Sequence, residues 1–432
     1  MDEGLYRFIA FAGFLIVGIV AWLTGRRAPV NWKTIGGSFV LAWVLGVLTF
    51  WLPWSRQALS WLNGILVAIL NVYQKGNIFL FGPLAIGPGQ TLPDGTASVG
   101  FVLAMQVLPA VIFFSAMVAG LYYLKIMPAI VRGFAWLFYR VMRVSGAESL
   151  SASANIFVGI ESGLTIRPYL ATLTPSELLT VMTCMMATVA STVMAIYVIA
   201  LQGIFPEIAG HLVSASIISI PCAILISKLT LPEDRQPETL GDLPAVDEEL
   251  GSPTSDEKNA TNLIAALIDG GMQGVKMAVG IATLLIVFLG LEAMVDLVLG
   301  LLPQMGERPL SLNRILGWMT WPFTVLMGLK PEEWQTASQI LGARFVETEV
   351  TAYFKLAAVQ GGISPALTPR SLIVLTYALC GFVHVASMGI FVGGLSALIP
   401  SRVQDISRLG FRALWTAFQA TVLTGCIAGV LA

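Results

Sequence analysis

The chain has 432 residues, 56% of them hydrophobic and only 11% charged, with a formal net charge of −1 and a mean hydropathy of +0.81. Soluble domains carry about 25% charged residues, so this composition excludes an ordinary soluble enzyme and describes a polytopic membrane protein. A chain without a basic excess cannot neutralise phosphates, which argues against a nucleic-acid partner.

A bilayer core of roughly 30 Å needs about 20 apolar residues in a helix. The N-terminus MDEGLYRF is acidic and no small-residue cleavage site follows, so Leu5–Leu23 reads as a retained first span. Ile35–Leu52 is the second. Ala58–Gln74 mixes Trp, Tyr and polar residues with aliphatics, as helices lying in the membrane interface do. Phe101–Leu124 is the third span, and Met127–Val144 a second interfacial helix. Leu178–Leu201 and Ile208–Ile226 are the fourth and fifth spans. The acidic, Pro-rich stretch Pro232–Lys258 has no aromatic residue and reads as a disordered cytoplasmic linker. Met277–Leu302, Leu372–Ile399 and Phe411–Ala432 complete eight spans. Basic residues follow the odd-numbered spans: Arg26, Arg27 and Lys33; Lys125, Arg132, Arg140 and Arg143; Lys228 and Arg235; Arg402, Arg408 and Arg412. All fall on the cytoplasmic side if both termini lie outside. Cys184, Cys222, Cys380 and Cys426 lie in apolar segments without CxxC spacing and read as packing residues.

Two segments are too polar and interrupted to cross cleanly, Glu148–Leu173 and Leu312–Phe354. The helices that follow them echo each other: TPSELLTVMTCMMATVAS (174–191) and TPRSLIVLTYALCGFVHVAS (368–387). Interrupted apolar segments at matching places in two halves point to a transporter binding site, and irregular backbone at membrane depth must be buried or line a wet cavity. Re-entrant hairpins meet that demand. In NIFVGIESGLTIRP (155–168), Gly159 and Gly163 allow a reversal whose tip presents Glu161 and Ser162. An ionisable residue there marks function. Asn155 together with Thr183, Thr188, Ser191 and Thr192 offers the neutral oxygens a hard cation prefers. His384 and Ser387 sit about one helical turn apart, whereas His211 reads as interfacial. No HExxH, GxSxG, metal-spaced Cys/His cluster or phosphate-cradling loop supports an enzyme.

From end to end the chain resembles the concentrative nucleoside transporters. The resemblance rests on WKTIGGSFVLAWVLG, FLFGPL, MQVLPAVIFFSAMVAGLYYL, SASANIFVG, RPYL, LTPSELLTVM, FVETEVTAY, ALCGFVHVASMGI and GGLSALIP. The family's G-x-K-x-x-x-N-E-F-V-A hallmark survives in altered form over Gly342–Ala352, with Arg344 for Lys and Thr348 for Asn. The resemblance implies an inner-membrane homotrimer importing nucleosides, coupled to sodium or alternatively to protons, by an elevator-like movement. It further implies an all-α fold of eight transmembrane helices with two re-entrant hairpins and interfacial helices, the transport unit being an inverted repeat. Residues 1–100 would then be scaffold helices, 101–230 the first repeat, 231–258 the linker and 259–432 the second repeat. Sodium would be held by Asn155, the carbonyls of Val158 and Val189, and the Thr188 hydroxyl. The substrate positions would be Ile160, Glu161 and Ser162 at the first tip, Val193, Gln339 in place of a ribose-binding Glu, Phe382, His384 in place of an Asn, and Ser387. Glu161 is then expected to be the one acidic group at the site, pairing with protonated His384 or accepting from substrate. With these departures, ordinary ribonucleosides are expected to bind poorly. A proton-coupled carrier of another small polar solute on the same scaffold is the second reading.

Overall fold

A computed structural model describes residues 3–241, 262–302, 309–362 and 367–432. The linker expected at Pro232–Lys258 lies outside these residues from position 242 onward. Among the described residues the fold is helical, apart from an isolated antiparallel bridge between Thr91 and Ala97.

The chain opens with α1 (Glu3–Thr24), α2 (Trp32–Phe50) and α3 (Pro53–Phe81). Asn31 caps α2, its side chain accepting from the Lys33 N–H at 3.1 Å, and Pro53 starts α3 where its missing N–H costs nothing. The expected interfacial helix Ala58–Gln74 is therefore the middle of a longer helix of 29 residues. A single turn, α4 (Leu103–Gln106), leads into α5 (Leu108–Tyr123), and α6 (Ile126–Met142) follows. In α6 the buried residues Met127, Val131, Ala135, Phe138 and Met142 recur at the helical period, which is the amphipathic pattern read from the sequence.

Next come α7 (Gly146–Ala154), a 3-10 segment (Ile160–Tyr169), α8 (Pro175–Ala187), α9 (Ser191–Leu201) and α10 (Ile208–Thr230). The second half holds α11 (Leu263–Leu299), α12 (Leu312–Leu326), α13 (Trp334–Ala343), α14 (Glu349–Gln360), α15 (Pro369–Leu379), α16 (Val385–Leu398) and α17 (Val403–Leu431). Eight helical stretches among the described residues are long and apolar enough to cross a membrane, but they are not the eight expected. Pro53–Leu84 joins them. Leu372–Ile399 drops out, because residues 380–384 break it into α15 and α16. The fourth span is broken too, at residues 188–190.

The stretches Pro175–Leu201, Ile208–Thr230 and Pro400–Leu431 form the buried centre. Small hydroxyls tie them together: Thr183 and Thr416 lie 2.7 Å apart, and Thr180 and Ser227 3.0 Å. In an apolar surround such pairs satisfy both partners at once. The long helix α11 is different. It has 37 residues, about 56 Å at 1.5 Å per residue, and only 6% of its most apolar window is buried. It packs closely on α5 through Gly274, where a Cβ would come within 2.6 Å of the Ile112 Cα.

Candidate substrate and ion site

The two halves run through the same order: a short helix, a turn, a second short segment, then a broken helix. In each half the chain restarting after the break bonds back to the turn before it. The Ser191 N–H donates to the Phe157 carbonyl at 3.2 Å, and the Val385 N–H donates to the Phe345 carbonyl at 3.0 Å. Residues far apart in sequence are thereby brought to two buried clusters.

The first cluster forms where α7 ends. A capping box starts that helix: the Ser145 hydroxyl accepts from the Glu148 N–H at 3.2 Å, and the Glu148 carboxylate accepts from the Ser145 N–H at 3.1 Å. Asn155 closes the helix and is buried. Its amide donates to the Cys184 carbonyl at 2.5 Å and to the Thr188 hydroxyl. The Thr188 hydroxyl donates to the Cys184 carbonyl at 2.9 Å, and the Ser162 hydroxyl donates to Asn155 Oδ1 at 3.3 Å. Neutral oxygens dominate here, the donor set that hard cations favour. The amide NH₂ of Asn155 sits between two of those oxygens. Its Oδ1 accepts from the Ser162 hydroxyl, and the amide, hydroxyl and carbonyl oxygens gathered here are the ligand types that fit a small cation. Val158 and Val189 are both buried, at the turn and at the break. Gly163 does not serve the reversal; a Cβ there would lie 3.3 Å from Leu395 and from Met185, so it is small for packing.

The second cluster opens onto a cavity of about 240 Å³. Gly159 and Ala190 contribute from the first half, together with Val193 of α9. Thr348, Glu349, Phe382, His384 and Ser387 contribute from the second, and α11 forms the facing wall through residues between Met277 and Leu285. Glu349 is 3% exposed. Its Oε1 accepts from the Tyr197 hydroxyl at 2.8 Å, and its Oε2 lies 2.8 Å from His384 Nε2. His384 caps α16: its Nδ1 accepts from the Ser387 N–H at 3.0 Å, while the Ser387 hydroxyl accepts from the His384 N–H at 3.3 Å. An Nδ1 that accepts carries no proton, so the ring proton sits on Nε2, aimed at Glu349. The residue before Glu349 is strained. Thr348 has φ +107° and ψ 162°, a region nearly restricted to glycine that costs about 1–3 kcal/mol and clusters at functional sites.

Of the residues expected to touch substrate, Val193, Phe382, His384 and Ser387 line this cavity. Ser162 instead belongs to the Asn155 cluster, its hydroxyl bonded there. The side chains of Ile160 and Glu161 lie outside the described residues. The expected pairing of His384 with Glu161 therefore lies outside the described residues; among the described residues the carboxylate at His384 is Glu349. Gln339 stands apart from these residues. It lies on α13 over Gly317 of α12 and takes no part in the cavity. Glu349 is not among the residues the sequence assigns to substrate, although it stands in the hallmark segment at that motif's acidic position. The signal in the sequence is a pair of acids two positions apart, Glu347 and Glu349, within a largely apolar stretch.

Three family profiles match along the chain: the Na+ dependent nucleoside transporter N-terminus over residues 12–84, nucleoside recognition over 104–204, and the Na+ dependent nucleoside transporter C-terminus over 211–429. The nucleoside permease NupC of Helicobacter pylori is 32% identical over 97% of this chain and 96% of its own length. The chain belongs to the concentrative nucleoside transporter family. A sodium/nucleoside cotransporter 1 of the rat is 32% identical over 98% of this chain, which spans 63% of that longer protein. The structure of CNTnw in an inward-facing substrate-bound state is similar with a TM-score of 0.86 at 29% identity, covering 99% of this chain and 98% of that one. Outward-facing and intermediate states of CNTnw variants give TM-scores between 0.85 and 0.87. This family member is accordingly a multi-pass membrane transporter, and its relatives carry the names of carriers, not of enzymes.

Proposed function

We propose that the protein is a secondary active symporter that imports nucleosides or nucleoside-like polar metabolites, coupled to sodium. The observation that carries this reading is one buried carboxylate, Glu349, set with His384, Ser387 and the Phe382 ring in a cavity beside the Asn155 cluster. A nucleoside offers a flat base and a sugar with hydroxyl donors. An aromatic ring gives the base a stacking face, and a carboxylate accepts from hydroxyls with charge assistance. Glu349 spends one lone pair on Tyr197 and one toward His384, so acceptor capacity remains for substrate. The ribose role expected of Gln339 passes in this reading to Glu349. With that acid present, ordinary nucleosides regain the partner whose loss had predicted poor binding.

Sodium would be held by Asn155, the Thr188 hydroxyl and the carbonyls of Val158 and Val189, with the Cys184 carbonyl alongside. In the same reading α7 with the 3-10 segment and α13 with α14 are re-entrant hairpins of an inverted repeat, residues 101–230 and 259–432. They move with the broken helices against α5 and α11 as an elevator, and residues 1–100 belong to the scaffold. Homotrimer formation is part of the proposal, supported by the exposed aliphatic face of α11, including Ile264, Ile268, Val279 and Ile286. The test is uptake of labelled nucleosides and free nucleobases into proteoliposomes, with an inward sodium gradient and with potassium replacing it. Nucleoside uptake that needs sodium is expected. Folded protein that carries no nucleoside overturns the substrate; uptake indifferent to sodium overturns the ion.

A further inference from the structure

The helix α6 spends one face on packing, where Met127, Val131, Ala135, Phe138 and Met142 are buried. On its other side Arg132, Trp136, Arg140 and Arg143 follow at helical spacing, so they line up in one stripe about 16 Å long. All four are exposed, Trp136 to 59%, and Ile126 and Ile130 add exposed aliphatic surface nearby. The helix contains no Asp or Glu, and no carboxylate among the described residues pairs with Arg132, Arg140 or Arg143.

Arg143 has its backbone in the left-handed region, φ 52° and ψ 38°, where helices commonly end on glycine. The chain keeps an arginine there against its backbone preference, and that side chain borders a polar cavity of about 210 Å³. Arg235, from the segment after α10, lines the same cavity beside Asn31, the cap of α2. The acids of this cavity are already held. Glu148 is paired with Lys228 at 2.6 Å, and Glu233 accepts from the Thr174 hydroxyl at 2.8 Å and from Lys228 at 3.4 Å. Arg143 and Arg235 have no such partner among the described residues.

We propose that the α6 stripe and the cavity at Arg143 and Arg235 form a binding surface for anionic phospholipid headgroups. A guanidinium meets a phosphate with two parallel N–H donors. A helix with basic and aromatic residues on one face lies along a membrane surface, its tryptophan at headgroup depth. Basic residues gather on the cytoplasmic side, whose leaflet carries the anionic lipids. The acidic stretch 242–258 also complements arginine, yet it has no aromatic residue, and pairing with it would leave Trp136, Ile126 and Ile130 facing water. A lipid meets both demands, its phosphate at the arginines and its acyl chains at the apolar side chains. Arg143 stands two residues before Ser145, the cap of α7, so a headgroup held there steadies the start of the helix that carries Asn155. The proposal does not rest on the sodium or nucleoside reading.

The test is thermal unfolding of the delipidated full chain in detergent, titrated with phosphatidylglycerol, with phosphatidylcholine or with inorganic phosphate. A ligand bound by the folded chain alone raises the midpoint. Phosphatidylglycerol is expected to raise it to saturation, and the other two to leave it unchanged. Arg143→Gly removes the charge and relieves the backbone, so the midpoint without lipid should not fall, while half-saturation should need about fivefold more lipid. Arg140→Gln should add a similar factor, and Arg408→Gln, exposed on α17 outside the stripe, should respond like the native protein. Phosphatidylglycerol retained per chain, counted by native mass spectrometry, should fall in the variant carrying both stripe changes. An equal response to phosphatidylcholine or to inorganic phosphate overturns the proposal. So does a double variant that responds and retains lipid like the native chain, or a loss as large in Arg408→Gln. No response in the full chain, the result expected if residues 242–258 hold these arginines instead, overturns it as well. Neither measurement needs a transported substrate, so failure here is distinct from failure of the proposed function.

Discussion

Glu349→Gln keeps the shape of the side chain and removes its charge. The carboxylate now accepts from the Tyr197 hydroxyl at 2.8 Å and faces His384 Nε2 at 2.8 Å. An amide has one acceptor end and one donor end. The Tyr197 hydroxyl can rotate and accept, but His384 cannot, because its Nδ1 is held by the Ser387 N–H. The amide oxygen must turn to His384 and its NH₂ to Tyr197, so the local fold survives while the charged acceptor for substrate is lost. Hydrogen bonds to charged groups are worth about 1.5–3 kcal/mol, and about 1.4 kcal/mol is tenfold. The expected fall in Vmax/KM for a nucleoside is therefore roughly 10- to 150-fold by those figures. The assay is initial uptake against concentration at a fixed sodium gradient, with the parent nucleoside and deoxy analogues each lacking one sugar hydroxyl. The native protein should penalise the analogue that lacks the hydroxyl donating to Glu349; the variant should not discriminate against it further. A variant inserted and folded like the native protein, with Vmax/KM within about twofold and discrimination intact, would remove Glu349 from the sugar.

Other consequences follow from packing and from the oxygen cluster. Thr188→Val removes one hydroxyl worth about 1 kcal/mol, so half-maximal uptake should need roughly fivefold more sodium, and Asn155→Ala more still; an unchanged sodium dependence in both variants would place the ion elsewhere. Gly274→Leu drives a side chain into the Ile112 backbone, where even a Cβ would stand at 2.6 Å, and should cost about 1–3 kcal/mol. Thermal unfolding in detergent checks it against Gly290→Ala, where nothing lies within 4 Å. Buried Arg344 donates to the Ala378 carbonyl at 2.5 Å and to the Thr421 hydroxyl at 2.7 Å, an anchoring fork that a compact ammonium does not reproduce. Arg344→Lys should lower the thermal midpoint by an amount worth about 1–3 kcal/mol, Thr421→Val by less, and equal loss in both would mean the Ala378 bond contributes little.

How much of this was legible in the sequence depends on what hydropathy reports. Apolar runs marked α1, α2, α5, α10 and α17 because burial in lipid and burial in protein demand the same side chains. Those runs are silent about where a helix stops. The breaks at residues 188–190 and 380–384 sit within stretches apolar enough to cross, and only their polar residues betray them. Pairing across the fold was out of reach for a different reason. Glu349 meets His384 because α14 and the break before α16 come together, 35 positions apart, and nothing local selects Glu349 over Glu161 as the partner. Register was equally out of reach, since a shift of ten residues along α13 and its turn, from Gln339 to Glu349, moves a side chain from the α12 interface to the cavity.

His384 and Ser387 show how a correct residue can be found on incomplete grounds. Their spacing suggests two side chains one turn apart on a helical face. In the fold they are the cap and third residue at the start of α16, each satisfying the other's backbone N–H. A helix broken inside a membrane leaves its first N–H groups without water, so something must accept from them. Histidine can do this with one ring nitrogen only if the other holds the proton, and that proton faces Glu349 at 2.8 Å. The cap that makes the break tolerable thus also sets the tautomer that orients the cavity's carboxylate. Substituting Asn at position 384 would preserve a capping oxygen, since Asn is a favoured cap, yet the NH₂ left over sits on a shorter side chain than the imidazole Nε2 and would fall short of Glu349. The break would persist while the cavity lost its orienting donor, and the local fold and the chemistry of the site, joined here in one imidazole, would separate.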